Sequence, residues 1–178
     1  MSKQSDRIIL LGAAPSRDSD PTNPLVPGRN KRGTGGSLLR LLQMDVDSFR
    51  VAFERHYLIP IHPGRNRGGD NFPAQLVREG VERMGRIIAG RTVVLVGKKV
   101  ACAFGVDQVA PFEWVQSTGA STGASTWASI AWASMAWVPN PCGINTWWND
   151  PDNKRAGEAF LVALGQRAFD LSLRRMAS

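Results

Sequence analysis

Two short apolar runs, each ending at a glycine, limit what this chain can fold into. Arg7 to Leu11 carries Ile-Ile-Leu-Leu before Gly12, and Thr92 to Val96 carries Thr-Val-Val-Leu-Val between Arg91 and Gly97. Runs of this length, rich in branched residues and closed by a glycine, read as buried strands. Helical patterns lie between and around them. Ser37 stands where it can cap a helix with Leu38, Leu39, Leu41 and Leu42 on one face. A second helical or mixed stretch runs through Phe49, Val51 and Phe53, and Tyr57 to Ile61 looks like a strand end. Pro73 suits the first turn of a helix to Ala89, in which Val77, Val81, Met84 and Ile88 recur at helical spacing. A short helix is expected over Lys98 to Phe104, a strand over Ile130 to Val138, where the alanine content makes a helix the competing reading, and a terminal helix over Asn153 to Arg175. Strands alternating with helices imply a sheet covered on both faces. The expected fold is therefore α/β: a three-layer α/β/α sandwich with a short, mostly parallel central sheet.

The chain has 178 residues, 43% of them apolar, which suits one domain over residues 1–178 with a continuous core. Three stretches are unusual in composition, and the first two read as irregular loops. Pro21 to Gly36 is rich in Pro, Gly, Asn and Arg, His62 to Phe72 is basic and glycine-rich, and Ser117 to Trp137 contains short Ala-Ser and Thr-Gly-Ala-Ser repeats. Those repeats are far too short for a solenoid. The glycine-containing half reads as a loop.

The last strand delivers Pro139-Asn140-Pro141-Cys142-Gly143-Ile144-Asn145-Thr146-Trp147-Trp148-Asn149-Asp150. Prolines fix the backbone and glycine permits conformations closed to other residues, so this turn should hold Asn140 and Ile144 in set directions. It reads either as a ligand-facing loop or as a structural corner in which the tryptophans cap a core.

A net charge of +7, with arginine dominating the 22 basic residues, fits a polyanionic partner as well as a solvated surface. Two cysteines, Cys102 and Cys142, are too few for a disulfide framework or a four-cysteine metal site. His56 and His62 lack the clustered partners of a zinc site, so neither metal nor cofactor is expected. Met1 to Arg7 is polar and leads straight into the first strand, and no apolar run reaches membrane-spanning length. The expectation is a cytoplasmic, reducing setting, a monomer and no membrane.

Taken together, Gly12-Ala13-Ala14-Pro15-Ser16 after the first strand and Asn140-Pro141-Cys142-Gly143-Ile144 after the last resemble the two signature motifs of the uracil-DNA glycosylase superfamily. The first is similar to Gly-Glu-Ala-Pro-Gly, and the second to the Asn-Pro-Ser-Gly-Leu-Ser of the mismatch-specific branch. The likeness continues between them. Asn23-Pro24-Leu25-Val26-Pro27-Gly28 with Gly35-Gly36-Ser37-Leu38-Leu39 resembles the family's Pro-Phe-Val-Gly segment and leucine helix, and Val93 to Gly105 its central strand and following helix.

The resemblance implies DNA as the partner and an extrahelical uracil-type, deaminated or modified base as the ligand, whose N-glycosidic bond is hydrolysed without a cofactor. Gly12, Ala13, Ala14, Pro15 and Ser16 would form one wall of the base site, and Asn140 would act beside the base and sugar. Ile144 would enter the duplex as an apolar wedge, and Gly143 before it would be a further substrate-binding position. Three departures stand out. Ala13 and Ala14 occupy the places where the family carries its water-activating Asp, Asn or Glu, which leaves Asp18 first, then Asp70, with Asp20 also nearby, as substitutes. Leu25 stands where a phenylalanine stacks on the base, leaving Phe72 or Tyr57 for that role. His56 and Tyr57 lie where an asparagine reads the pyrimidine edge. The iron-sulfur form of the family needs more cysteines than this chain has. Two further readings remain open: a non-catalytic DNA or nucleobase binder, and a protein transferring the base or sugar to a nucleophile other than water.

Overall fold

The structure is a computed structural model that describes residues 6–16, 20–27, 33–66, 69–70, 72–117, 133–142 and 145–177. Its centre is a five-stranded sheet in the order β2-β1-β5-β7-β6. These strands are β1 (Ile8–Gly12), β2 (Phe53–Tyr57), β5 (Thr92–Val96), β6 (Val115–Ser117) and β7 (Ala133–Val138). β2, β1, β5 and β7 run parallel, and β6 closes the edge antiparallel to β7. A separate two-stranded hairpin, β3 (Arg65–Asn66) with β4 (Gly69–Asp70), forms inside the stretch expected to be an irregular loop.

Helices cover both faces, as the two apolar runs require. Side chains alternate across a strand, so Ile8 and Leu10 point to one side of β1 and Ile9 and Leu11 to the other. The first pair packs with Val94, Val96 and Val138 under α1 (Gly33–Leu42), α2 (Val46–Ala52) and α5 (Pro151–Met176). The second pair packs with Val93, Leu95 and Met135 under α3 (Ala74–Ile88) and α4 (Lys98–Ala103). All four β1 apolar residues are fully buried, so the sheet is the middle layer of an α/β/α sandwich. On α3 the apolar stripe continues as Val81, Met84 and Ile88. Gly80 lets that helix approach the chain end of β2 so closely that a Cβ would lie 2.2 Å from the Leu58 carbonyl oxygen.

Several boundaries differ from the sequence expectation. α1 begins at Gly33, so Ser37 is an interior residue and not the cap. Glycine is a poor helix former, and packing overrides that preference here. A Cβ on Gly35 would sit 2.5 Å from the Leu25 carbonyl oxygen, so only glycine allows the first turn to rest on the preceding loop. Phe53 opens β2 instead of ending a helix, and Leu58 and Ile59 extend the β2 pairing by donating their N–H groups to the Gly12 and Ala13 carbonyls. Of the expected strand at Ile130 to Val138, the described part is Ala133–Val138. Trp147 and Trp148 lie on a 3-10 turn, Thr146–Asn149, that leads into α5. Asp150 caps α5 by accepting from the Asp152 and Asn153 N–H groups.

The connection through α1 and α2 takes the chain to one side of β1, and the connection through α3 takes it to the other. The strand order therefore reverses between β1 and β5. In open α/β sheets, ligands bind outside the carboxyl ends of the strands at such a point. Both loops that carry the resemblance leave the sheet at this edge.

Candidate site at the carboxyl edge of the sheet

β1, β5 and β7 end side by side, at Gly12, Val96 and Val138. With adjacent strands roughly 4.8 Å apart, the loops after β1 and β7 stand about 10 Å from each other across the end of β5. Gly97 fills the gap. Its φ of +102° suits glycine, and a Cβ there would come within 3.5 Å of the Asn140 Cβ.

Asn140 is the most fully determined residue of the edge. Its side-chain Oδ1 accepts the Thr34 hydroxyl at 2.8 Å and the Cys142 N–H at 3.2 Å. A backbone N–H only donates, so the amide must present oxygen to Cys142, which sets which end is nitrogen. Among the described residues, Nδ2 has no hydrogen-bond partner. The Asn140 carbonyl is held as well, by Asn145 Nδ2 at 2.9 Å and the Trp148 indole N–H at 3.2 Å. Trp148 is seated in turn on Gly157, where a Cβ would lie 2.5 Å from its ring. Phe112 packs against Trp147, Trp148 and Phe160 at centroid distances of 5.2–6.3 Å. The tryptophans thus cap a cluster, as the structural-corner reading of this turn expects, and Trp148 braces Asn140.

The loop after β1 is apolar at its start. Ala13 and Ala14 are half-buried, Pro15 is buried and Ser16 is exposed. Leu25 lies against this loop in the left-handed region, φ +58°, an uncommon state for a branched residue. Four contacts hold it. Its N–H donates to the Tyr57 hydroxyl at 3.1 Å, its side chain occupies the space a Gly12 Cβ would need, its carbonyl rests on Gly35, and Arg55 donates to the Pro24 carbonyl just before it. Leu25 is 4% exposed and Tyr57 8%. The two form a buried plug beside Gly12, and Tyr57 holds the loop with its hydroxyl.

His56 and Phe72 lie elsewhere. His56 pairs with Leu11 in register and so shares the α3 side of the sheet, with its Nε2 donating to Glu54 Oε1 at 2.9 Å. Glu54 Oε2 accepts from Arg91 at 2.8 Å, and Arg91 also donates to the Arg7 carbonyl. Burial pushes the Glu54 carboxyl up, but the hydrogen bonds from Arg91 and His56 and the Arg91 charge outweigh it and hold the group down at about 2. Phe72 packs on the α3 side with the Lys99 ammonium 5.6 Å from its ring centroid. The structure therefore brings Gly12, Leu25 and Tyr57 into one cluster and separates His56 and Phe72 from it.

The Glu54 arrangement has a pH signature. A depressed carboxyl contributes stability above its unfolded value, near 4.5, and loses it as pH falls towards about 2. Glu54→Gln should therefore lower Tm at pH 7, and the gap from the wild type should close between pH 4.5 and 2. A gap of constant size across that range would mean that the ion pair adds no stability.

Of the candidate bases, Asp18 lies outside the described residues, as do Gly143 and Ile144. The backbone of Asp70 belongs to β4. Asp20 accepts from the Thr22 N–H at 2.8 Å, the Thr22 hydroxyl and the Asn23 amide, and these bonds hold its carboxyl below the usual value. It is a turn-forming carboxylate. Thr34 is a partner of Asn140 that sequence reasoning does not single out, and nothing local marks it. A cleft of about 410 Å³ is lined by Arg40 and Leu41 of α1, by Pro141 and Trp148, and by Lys154 of α5. Asn140 is not among its lining residues.

Among the described residues, no helix is long and apolar enough to cross a membrane, and no group of three or more His, Cys, Asp or Glu is placed to hold a metal ion. In comparisons with known proteins, no family model matches the chain and no curated protein does.

Proposed function

We propose that the chain binds a base displaced from DNA and cleaves its N-glycosidic bond, the activity that the resemblance to uracil-DNA glycosylases implies. One observation carries the reading: Asn140 has its oxygen held twice and its carbonyl held twice, and Nδ2, without a partner among the described residues, is the donor left for a ligand. A neutral donor fixed before the ligand arrives stabilises charge developing on a base carbonyl without reorganising. The position at a topological switch point and the net charge of +7 support a nucleic-acid ligand at this edge. In this mechanism Asn140 meets the carbonyl next to the glycosidic nitrogen as the bond to the sugar loosens, and the plug of Leu25 and Tyr57 keeps the first loop in place. Asp18 is the residue proposed to orient water.

A second reading, a binder without chemistry, is favoured by a specific feature. Ala13 and Ala14 bring no group able to activate water, and Asp20 is already engaged in its turn.

The test is an oligonucleotide assay under single-turnover conditions with uracil, hypoxanthine, xanthine and modified pyrimidines, in single and double strands. Abasic product is the expected result. Binding without cleavage supports the second reading, and a covalent adduct would indicate transfer to a nucleophile other than water. Absence of salt-dependent binding to any of these strands would remove the nucleic-acid role altogether.

A further inference from the structure

We infer that Thr34 is the positioning residue of the site: its hydroxyl fixes the Asn140 amide so that Nδ2 faces the ligand. The inference rests on the proposed role of Asn140 and assigns a duty to a residue that no motif marks.

Thr34 reaches Asn140 across 106 residues of sequence, and the contact is partly buried. Carboxamide oxygen only accepts, so the threonine hydroxyl must donate here. Asn140 Oδ1 then has both lone pairs occupied, one by Thr34 and one by the Cys142 N–H. Flipping the amide would turn NH2 towards the Cys142 N–H and lose that bond, so Cys142 sets which end is oxygen and the Thr34 hydroxyl, donating to that oxygen, ties down the rotamer.

The glycines on either side explain why the hydroxyl can be there. Gly33 enters α1 with φ +82°, and Gly35 rests on the Leu25 carbonyl at a distance that excludes a Cβ. Thr34 is thus pinned between them at the start of α1. Through Gly35 it touches the loop that carries Leu25, and through its hydroxyl it touches the loop that carries Asn140. The first turn of α1 therefore joins the two loops that leave β1 and β7, and sets the amide relative to the plug at Gly12. The amide has little freedom left.

Thr34→Val keeps the shape and removes the donor, whereas Thr34→Ser keeps the donor. Two readouts are needed. The first is base release in single turnover, measured with DNA affinity and Tm. Thr34→Val should slow release about tenfold, in line with the sensitivity of catalysis to small misplacement, with Kd for the oligonucleotide and Tm close to the wild type. Thr34→Ser should restore the rate to within about twofold, since it restores the same donor. The second is the side-chain NH2 resonance pair of Asn140 in the folded protein, assigned by its loss in Asn140→Ala. That pair should shift or broaden in Thr34→Val and return in Thr34→Ser.

The NMR readout separates this inference from the function. If the wild type releases no base, the glycosylase reading fails, while the Asn140 resonances still test the role of Thr34. Unchanged resonances in Thr34→Val would overturn the inference, as would a wild-type rate in that variant. Equal losses of rate and Tm in both variants would show a purely structural threonine and overturn it too.

Discussion

Replacing Asn140 by alanine should lower the single-turnover rate of base release by about 10²-fold, the loss typical of one pre-aimed donor in an active site. DNA affinity should change little, because phosphate contacts dominate it. The structure makes the substitution clean. Among the described residues, the four bonds at Asn140 divide evenly, two on the backbone carbonyl and two on the side chain. Alanine keeps the carbonyl bonds from Asn145 and Trp148, so the turn retains its brace. The Cys142 N–H and the Thr34 hydroxyl lose an acceptor, which should cost about 1 kcal/mol of stability and lower Tm by roughly 2–4 °C. A non-catalytic binder would instead lose affinity for an unpaired base and show no rate to lose. An unchanged rate with a normal melting curve would remove Asn140 from the site and most of the glycosylase assignment with it.

The largest effect on stability should come from Phe49→Ala. Phe49 is fully buried on α2, its ring lies 5.5 Å from that of Phe53, and the Arg55 guanidinium sits 5.4 Å above its face. Removing a ring from such a position costs on the order of 4 kcal/mol, from lost burial and from the cavity left behind. For a domain of this size that is a fall of about 8–16 °C in Tm. Val51, two residues along the same helix, is 44% exposed, and Val51→Ala should stay within about 0.5 kcal/mol. Thermal melts of the two variants compare core and surface on one helix. Equal shifts would mean that this face of α2 does not pack on the sheet.

Arg55 links that core to the site. Its guanidinium is surrounded by backbone carbonyls, those of Pro24, Phe49, Arg50 and Phe53. Burial pushes its pKa down, and the positive charges of Arg50 and Arg7 act in the same direction. It ties the loop before Leu25 to the end of α2, so the plug beside Gly12 depends on packing well below the carboxyl edge.

What was legible in the chain followed from how far each signal reaches. Ile8 to Leu11 and Thr92 to Val96 show in sequence because a buried strand must be apolar along its length, and α3 shows because Val77, Val81, Met84 and Ile88 repeat at its period. The α/β/α layering followed from their order. β6 leaves no signal because a three-residue edge strand buries too little to impose a pattern, and the start of α1 is hidden because its glycines argue against a helix. Asn140 was legible as a candidate from its turn chemistry, and Leu25 and Tyr57 from the ordered likeness of the segments.

The sequence by itself determined the layers, the core faces and the two loops that share an edge, since each depends on neighbours a few residues away. Only the tertiary structure decided what the polar atoms do. Tyr57 holds the Leu25 backbone, His56 turns to Glu54, Arg91 donates to the same Glu54, Asp20 closes its own turn, and Asn140 is held by Thr34. All but the Asp20 turn and the His56 contact with Glu54 join residues far apart in the chain. Their partners meet through sheet register and helix packing, and no local propensity encodes a hydrogen bond across 106 residues.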